Sequence, residues 1–173
     1  VRISESLIDH SLDLALQSSP FARAIDGTVA LGTYNYVWVA APSIKKLMAD
    51  AKLNSLVQFP ILTHARGTLA VDEIEKHFAV TRKKAVRLVP SSNMAACLHM
   101  AVDGLGIAVL PEAMVRGEVK ARRLQIIEHA WVPKPLKMCA RYHTNHAAAY
   151  VSKIALLAKR IALEFENSTL SND

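Results

Sequence analysis

The sequence predicts an α/β chain built on a largely parallel sheet, and three observations carry that expectation. Short apolar runs of strand length, Phe59-Pro60-Ile61-Leu62-Thr63, Ala85-Val86-Arg87-Leu88-Val89 and Ile107-Ala108-Val109-Leu110, alternate with stretches of helical periodicity. Polar or glycine punctuation, such as Ser91-Ser92-Asn93 and Asp103-Gly104, separates the two kinds of segment. Hydrophobic residues make up 51% and charged residues 21% of 173 residues, which is enough to bury a core and excludes the disordered, collagenous and low-complexity classes. That length suits one domain or two small lobes.

Taken in order, Val1-Arg2-Ile3-Ser4 reads as an opening strand with no cap or turn before it, so a preceding segment is expected. No basic n-region followed by an apolar h-region is seen. Leu12-Asp13-Leu14-Ala15-Leu16 alternates and then turns apolar, as a strand entering a buried sheet does, and Gln17-Ser18-Ser19-Pro20 is its turn. Residues 29–31 and Tyr36-Val37-Trp38-Val39-Ala40 are strand runs joined by Gly32-Thr33-Tyr34-Asn35, a hairpin-like or sharply bent connection. Pro42 closes the second run, and Ser43 stands at the N-cap position of a short helix. That helix has Ile44, Leu47 and Met48 on one side and Lys45, Lys46 and Asp50 on the other.

The strand at residues 59–63 stops at His64-Ala65-Arg66-Gly67, and a helix carrying Leu69, Ile74 and Phe78 follows. The strand at residues 85–89 meets Ser91-Ser92-Asn93, which caps a nearly all-apolar helix over residues 94–102 that ends at Gly104. Pro111 ends the strand at 107–110 and starts a helix over residues 111–115. After Arg123 the chain turns extended and basic, and Trp131-Val132-Pro133-Lys134-Pro135 is a linker-like crossing. Met138-Cys139-Ala140-Arg141-Tyr142 is a strand. Residues 147–166 form a long helix whose Val151, Ile154, Ala155, Ala158, Ile161, Ala162 and Phe165 make an apolar stripe, mostly core. Lys153, Lys159, Arg160 and Glu164 lie opposite, before a polar tail.

Twenty-one Lys plus Arg against fifteen Asp plus Glu leave a net charge of +6. Much of the excess sits in Arg82-Lys83-Lys84 with Arg87 and in Arg116, Lys120, Arg122 and Arg123. No aromatic residues interleave with these clusters as stacking platforms would, so they read as solvated faces. Two cysteines, Cys97 and Cys139, are too few for a disulfide framework and suit a reducing cytosol, so a cytoplasmic location is expected. Asp103, Glu112, Lys153 and Lys159 break every run that approaches membrane-spanning length, and no membrane partner is expected.

Catalytic and metal motifs are not found. There is no Gly-x-Ser-x-Gly elbow, and Gly104-Leu105-Gly106 follows a helix rather than a strand, so it ends that helix instead of cradling a phosphate. Cys139, His143 and His146 are too loosely spaced for zinc, and Cys97 and His99 lie on opposite sides of their helix. The expectation is a non-enzyme without metal or cofactor. Ser92 and Asn93 open a helix, where backbone N–H groups and the dipole attract an anion such as a carboxylate, although such residues equally serve as caps. Thr63 and His64 end a strand, where they orient a polar ligand or act as cap and solvated side chain; Gln17 and Ser18 have the same two readings, ligand contact or turn former.

The order and spacing of four of these segments resemble one family. "LDLAL" at residues 12–16, Pro60-Ile61-Leu62-Thr63, the Ser-Asn helix start at 92–93 and "DGLGIAVLP" at 103–111 together look like the effector-binding domain of a LysR-type transcriptional regulator, over about residues 2–165. That resemblance implies two Rossmann-like lobes as in type 2 periplasmic binding proteins, with a ligand crevice between them. Residues 1–42 and 134–173 are expected to form regulatory lobe I, incomplete at its N-terminus, and residues 43–133 lobe II. It also implies a small-molecule effector contacting Thr63, His64, Ser92, Asn93 and Gln17, dimers that become tetramers in the full-length protein, and operator DNA bound only through an N-terminal winged helix-turn-helix absent from this sequence. A periplasmic-type solute-binding protein of the same fold is the alternative, separated by whether a signal peptide or a helix-turn-helix lies upstream.

Overall fold

The computed structural model describes residues 2–21, 23–48, 52–79, 86–145 and 147–170. Its elements in chain order are α1 (Arg2–Ile8), β1 (Ala15–Ser18), β2 (Gly27–Tyr34), β3 (Tyr36–Ala40), α2 (Pro42–Leu47), α3 (Leu53–Leu56), β4 (Ile61–Thr63), α4 (Leu69–Ala79), β5 (Leu88–Pro90), α5 (Met94–Val102), β6 (Ile107–Pro111), α6 (Glu112–Lys120), β7 (Gln125–Ile127), β8 (Leu136–Tyr142) and α7 (Ala149–Leu170). The chain divides into two compact units. Unit 1 comprises Val1–Tyr34 with Leu136–Asp173, and unit 2 comprises Asn35–Pro135.

Unit 1 holds a three-stranded sheet in the order β1-β8-β2. Both pairings are antiparallel, with Ala15 opposite Arg141 and Val29 opposite Ala140, so the parallel expectation fails here. Alternation along β8 sends Ala140 to one face and Arg141 to the other. On the first face α7 packs against β2 and β8 over a core of Leu31, Ala140 and Ala155, flanked by Leu14, Val29, Met138, Tyr142, Ala158 and Ala162. The inner seam of α7 is therefore Val151, Ala155, Ala158 and Ala162, whose small side chains let the helix lie close to the strands. Ile154, Ile161 and Phe165, expected on that stripe, are 44%, 56% and 47% exposed, because the helix is apolar over a wider arc than this sheet contacts.

The opening of the chain is helix α1, not a strand, with Ser4 and Leu7 buried one turn apart; Val1 lies outside the described residues. Four residues are too few for a period-two pattern to outweigh a helical one. Asp9 stops the helix by accepting hydrogen bonds from the Ser11 N–H (2.9 Å) and hydroxyl (2.6 Å), with His10 at φ 60°. Strand β1 begins three residues later than expected, and its inward residues are Ala15 and Gln17, leaving Leu16 55% exposed. Gln17 and Ser18 accordingly extend the strand rather than turn it.

Unit 2 holds a five-stranded sheet in the order β5-β4-β6-β3-β7. Strand β4 runs parallel to β5 and β6, and β3 runs antiparallel to β6 and β7. Residues 29–31 and β3 thus belong to different sheets, so the connection between them is the bent one and not a hairpin. For the same reason the chain enters unit 2 at Asn35 rather than after residue 42, and it leaves after Pro135. Val39, Leu62, Cys97, Ala101, Ala108, Leu110, Val115 and Leu124 form a core in this unit. Burying them contributes ~1.5–3 kcal/mol per large aliphatic side chain.

Several element ends differ from expectation. Ala41, not Ser43, is the N-cap of α2, with no side-chain bond, and Leu47 is 74% exposed. Helix α6 continues to Lys120, and β7 forms where a linker was expected, anchored by Leu124 and Ile127, at 1% and 4% exposure. Residues 131–135 carry no regular structure. Ala85 and the Arg82-Lys83-Lys84 cluster lie outside the described residues, as do Asp50 and His146. Gly106 is required for the close approach of the chain entering β6 to the residue before β4, since a Cβ there would lie 2.4 Å from the Pro60 carbonyl oxygen.

Candidate functional site

Parallel pairing of β4 with β5 ends on Thr63 opposite Pro90, so both strands release the chain at the same edge of the unit 2 sheet. The carboxyl ends of parallel strands are where open α/β sheets present ligand-binding side chains. Thr63 is fully buried and His64 is 7% exposed. The Thr63 carbonyl accepts from the Ser91 N–H at 3.0 Å and from the Cys97 thiol at 3.3 Å. Its side chain has no such partner. Thr63 Oγ1 and His64 Nε2 are buried polar atoms without a hydrogen bond among the described residues.

The His64 ring stands edge-on to Tyr36 with centroids 5.2 Å apart and planes at 79°. Burial lowers the pKa of His64, which keeps its imidazole neutral at pH 7. Burial, with a further contribution from the Glu73 carboxylate, pushes the Tyr36 phenol up to about 12, so its hydroxyl stays protonated. The edge therefore collects neutral hydrogen-bonding groups: two hydroxyls and an imidazole.

Helix α5 starts beside this edge. The Asn93 side-chain oxygen accepts from the N–H groups of Ala95 (3.0 Å) and Ala96 (3.3 Å), and the Asn93 N–H donates to the Ser91 hydroxyl (3.1 Å). Asn93 is thus the N-cap, and Ser92 is exposed next to it. The structure brings Thr63, His64, Ser92 and Asn93 to one end of one sheet.

Gln17 belongs to unit 1, where it is 9% exposed. Its Nε2 donates to Ser4 Oγ (3.4 Å) and its Oε1 accepts from Arg141 Nη1 (3.1 Å). Arg141 is 1% exposed, donates from Nη2 to the Arg23 carbonyl (2.7 Å) and lies 3.9 Å over the Phe21 ring. Sequence reading missed Arg141 and Tyr36. Their strands were legible, but alternation names a face and not the loop or ring that meets it. Among the described residues no group of three or more His, Cys, Asp or Glu is placed to hold a metal ion.

Comparison with known proteins supplies the family. The family model described as LysR substrate binding domain matches residues 1–158. The chain belongs to that family. LysR substrate-binding domains are the non-enzymatic, effector-binding regulatory parts of transcriptional regulators, with an α/β fold like that of type 2 periplasmic binding proteins. Solved structures agree in fold. The apo regulatory domain of HypT from Salmonella typhimurium superposes with a TM-score of 0.75 at 17% identity, covering 94% of this chain and 78% of that one. Its bromide-bound form gives 0.73 at 18% over 94% and 78%. The effector domain of AmpR from Pseudomonas aeruginosa gives 0.71 at 15%, covering 95% and 79%. No curated sequence matches this chain. Among the described residues no helix is long and apolar enough to cross a membrane.

Proposed function

We propose that this LysR domain senses a small anionic metabolite, of carboxylate class, at the sheet edge formed by Thr63, His64, Ser92 and Asn93. The observation that carries the reading is the pair of buried, unsatisfied polar atoms at Thr63 and His64. A buried hydroxyl without a partner costs ~1–3 kcal/mol, and a ligand oxygen that accepts its proton removes that cost. Neutral donors suffice for an anion, as helix starts and amide nests show elsewhere. Ser92 contributes its hydroxyl beside the α5 N-terminus. Asn93 keeps its side-chain oxygen on the helix and so contributes through the cap geometry it fixes. Among the fold relatives, HypT has been solved with a bromide ion, an anion that needs donors only.

The output follows from differential affinity. An effector that prefers one arrangement of the regulator shifts its population toward that arrangement, which changes oligomer geometry and so DNA-dependent transcription. In this reading the regulator is cytoplasmic, pairs as a homodimer, assembles to a tetramer at full length, and meets operator DNA through an N-terminal winged helix-turn-helix.

Thermal denaturation against small carboxylates, aromatic acids and amino acids tests the site. A ligand at ~100 times its Kd adds about 2.7 kcal/mol of stability. The expected result is one compound class that raises Tm in the parent and fails to do so in Thr63→Val and Ser92→Ala. A compound that stabilises all three proteins equally would place its site elsewhere.

A further inference from the structure

His77 on α4 and His129, just after β7, meet at their Nε2 atoms, 2.9 Å apart with ring centroids at 5.2 Å. One Nε2 must carry a proton and the other must accept it. The same two rings hold the residues around them. His77 stacks flat on Trp131, with centroids 4.0 Å apart and planes at 11°, and His129 stands edge-on to Trp38 at 5.6 Å. The Trp38 indole N–H donates to the Trp131 carbonyl at 2.7 Å. One turn back on α4, Glu73 accepts from the Lys134 N–H at 2.8 Å and pairs with its ammonium at 3.5 Å. Segment 129–134 has no ladder hydrogen bonds of its own. It is therefore held to unit 2 by an imidazole pair, an aromatic stack, an indole bond and one carboxylate.

From this geometry we infer that the His77–His129 pair is a proton-sensitive latch: it fastens segment 129–134 to α4 while the pair shares a single proton, and releases it when both rings are protonated. Two imidazolium rings each present N–H at Nε2, so the bond is lost and two like charges face each other. The surroundings reinforce the direction. From α4 the charged groups lining the adjoining pocket are Glu73 and Lys76; from the segment itself, Lys134. From β3 come Trp38, uncharged, and Tyr36, whose phenol senses Glu73. Glu73 is already matched to Lys134, so Lys76 is left as positive field, and each added proton increases it. Burial, followed by the charge of His129, lowers the pKa of His77. A base whose folded pKa is depressed is stable in its neutral form above its unfolded value and loses that stability as pH falls. The latch is then closed at pH 7.5 and opens as pH falls through the lowered pKa of His77. This inference is independent of the effector site.

The chain carries its own reporter, because its two tryptophans, Trp38 and Trp131, both touch the pair. Trp38 is 1% exposed, so quenching of tryptophan emission by neutral acrylamide reads Trp131. Acrylamide titrations at pH 7.5 and 5.5, with far-UV circular dichroism at each pH to confirm folding, test the proposal in the parent, His77→Gln and His129→Gln chains. Glutamine keeps a hydrogen-bonding group but cannot take a proton. The expected result is a Stern–Volmer slope that rises at pH 5.5 in the parent, and a loss of that rise in both variants. A slope that does not change with pH in the parent, or one that rises equally in the variants, would overturn the latch.

Discussion

Replacing Thr63 by Val should stabilise the ligand-free chain, the reverse of what a substitution at a fully buried residue usually does. Valine keeps the β-branched shape, so neither a cavity nor an overpacked contact is created, and it suits a central strand at least as well. What changes is the hydroxyl. It is buried without a hydrogen bond, whereas the Thr63 carbonyl, which holds Ser91 and Cys97, is untouched by the substitution. Removing an unsatisfied buried hydroxyl should recover ~1–3 kcal/mol from the desolvation of that group. With a urea m-value of ~2 kcal/mol per molar, this moves the midpoint up by about 1 M. Tryptophan emission is the right probe, since both tryptophans belong to unit 2 and the signal reports the unit that carries Thr63. The m-value should not change, and effector stabilisation should disappear in the same variant. A midpoint that falls or stays within ~0.2 M of the parent would mean that Thr63 Oγ1 is satisfied in the free protein, and the argument for a ligand at this edge would lose its basis.

Three other outcomes are expected. Asn93→Ala removes an acceptor from two helix N–H groups and should cost ~1 kcal/mol in the same urea titration, with Asn93→Asp close to the parent. His64 has a depressed folded pKa, so its contribution is intact above ~6.5 and lost as pH falls; the stability difference between pH 7.5 and 5.5 should be smaller in His64→Gln than in the parent. Gly106→Ala puts a methyl against the Pro60 carbonyl and the Leu62 side chain, and should destabilise unit 2 by ~1–3 kcal/mol, read as a lower urea midpoint.

Unit 2 was largely legible in the sequence because its buried strands are continuous apolar runs bounded by strong punctuation. Strand β6 is buried at all five positions, and Gly104, at φ 74°, ends α5 as its spacing predicts. Unit 1 was less legible. Strand β1 is four residues long with a polar Gln17 inward and Leu16 outward, so hydropathy pointed to the wrong residues. Helix α7 is apolar over so much of its surface that periodicity alone could not select the alanine seam over Ile154, Ile161 and Phe165. At the candidate site, Thr63, His64, Ser92 and Asn93 were named from strand ends and a helix start. Tyr36 was not, because its ring contact with His64 depends on sheet order, and β3 joins β6 only through a pairing far away in sequence.

The middle strand of the unit 1 sheet is contributed by the far end of the chain. Strands β1 and β2 do not pair with each other; each pairs with β8, which is synthesised only after all of unit 2. On a ribosome, unit 2 can therefore fold while β1 and β2 wait with open edges. The rung of β2 nearest unit 2, Tyr34 opposite Leu136, is bridged by residues 35–135. A disordered bridge of that length would carry a large loop-closure entropy, but a folded unit 2 replaces it with a structured connection. Order of assembly is thus written into strand order: a nascent chain released before β8 emerges can complete unit 2 but not unit 1.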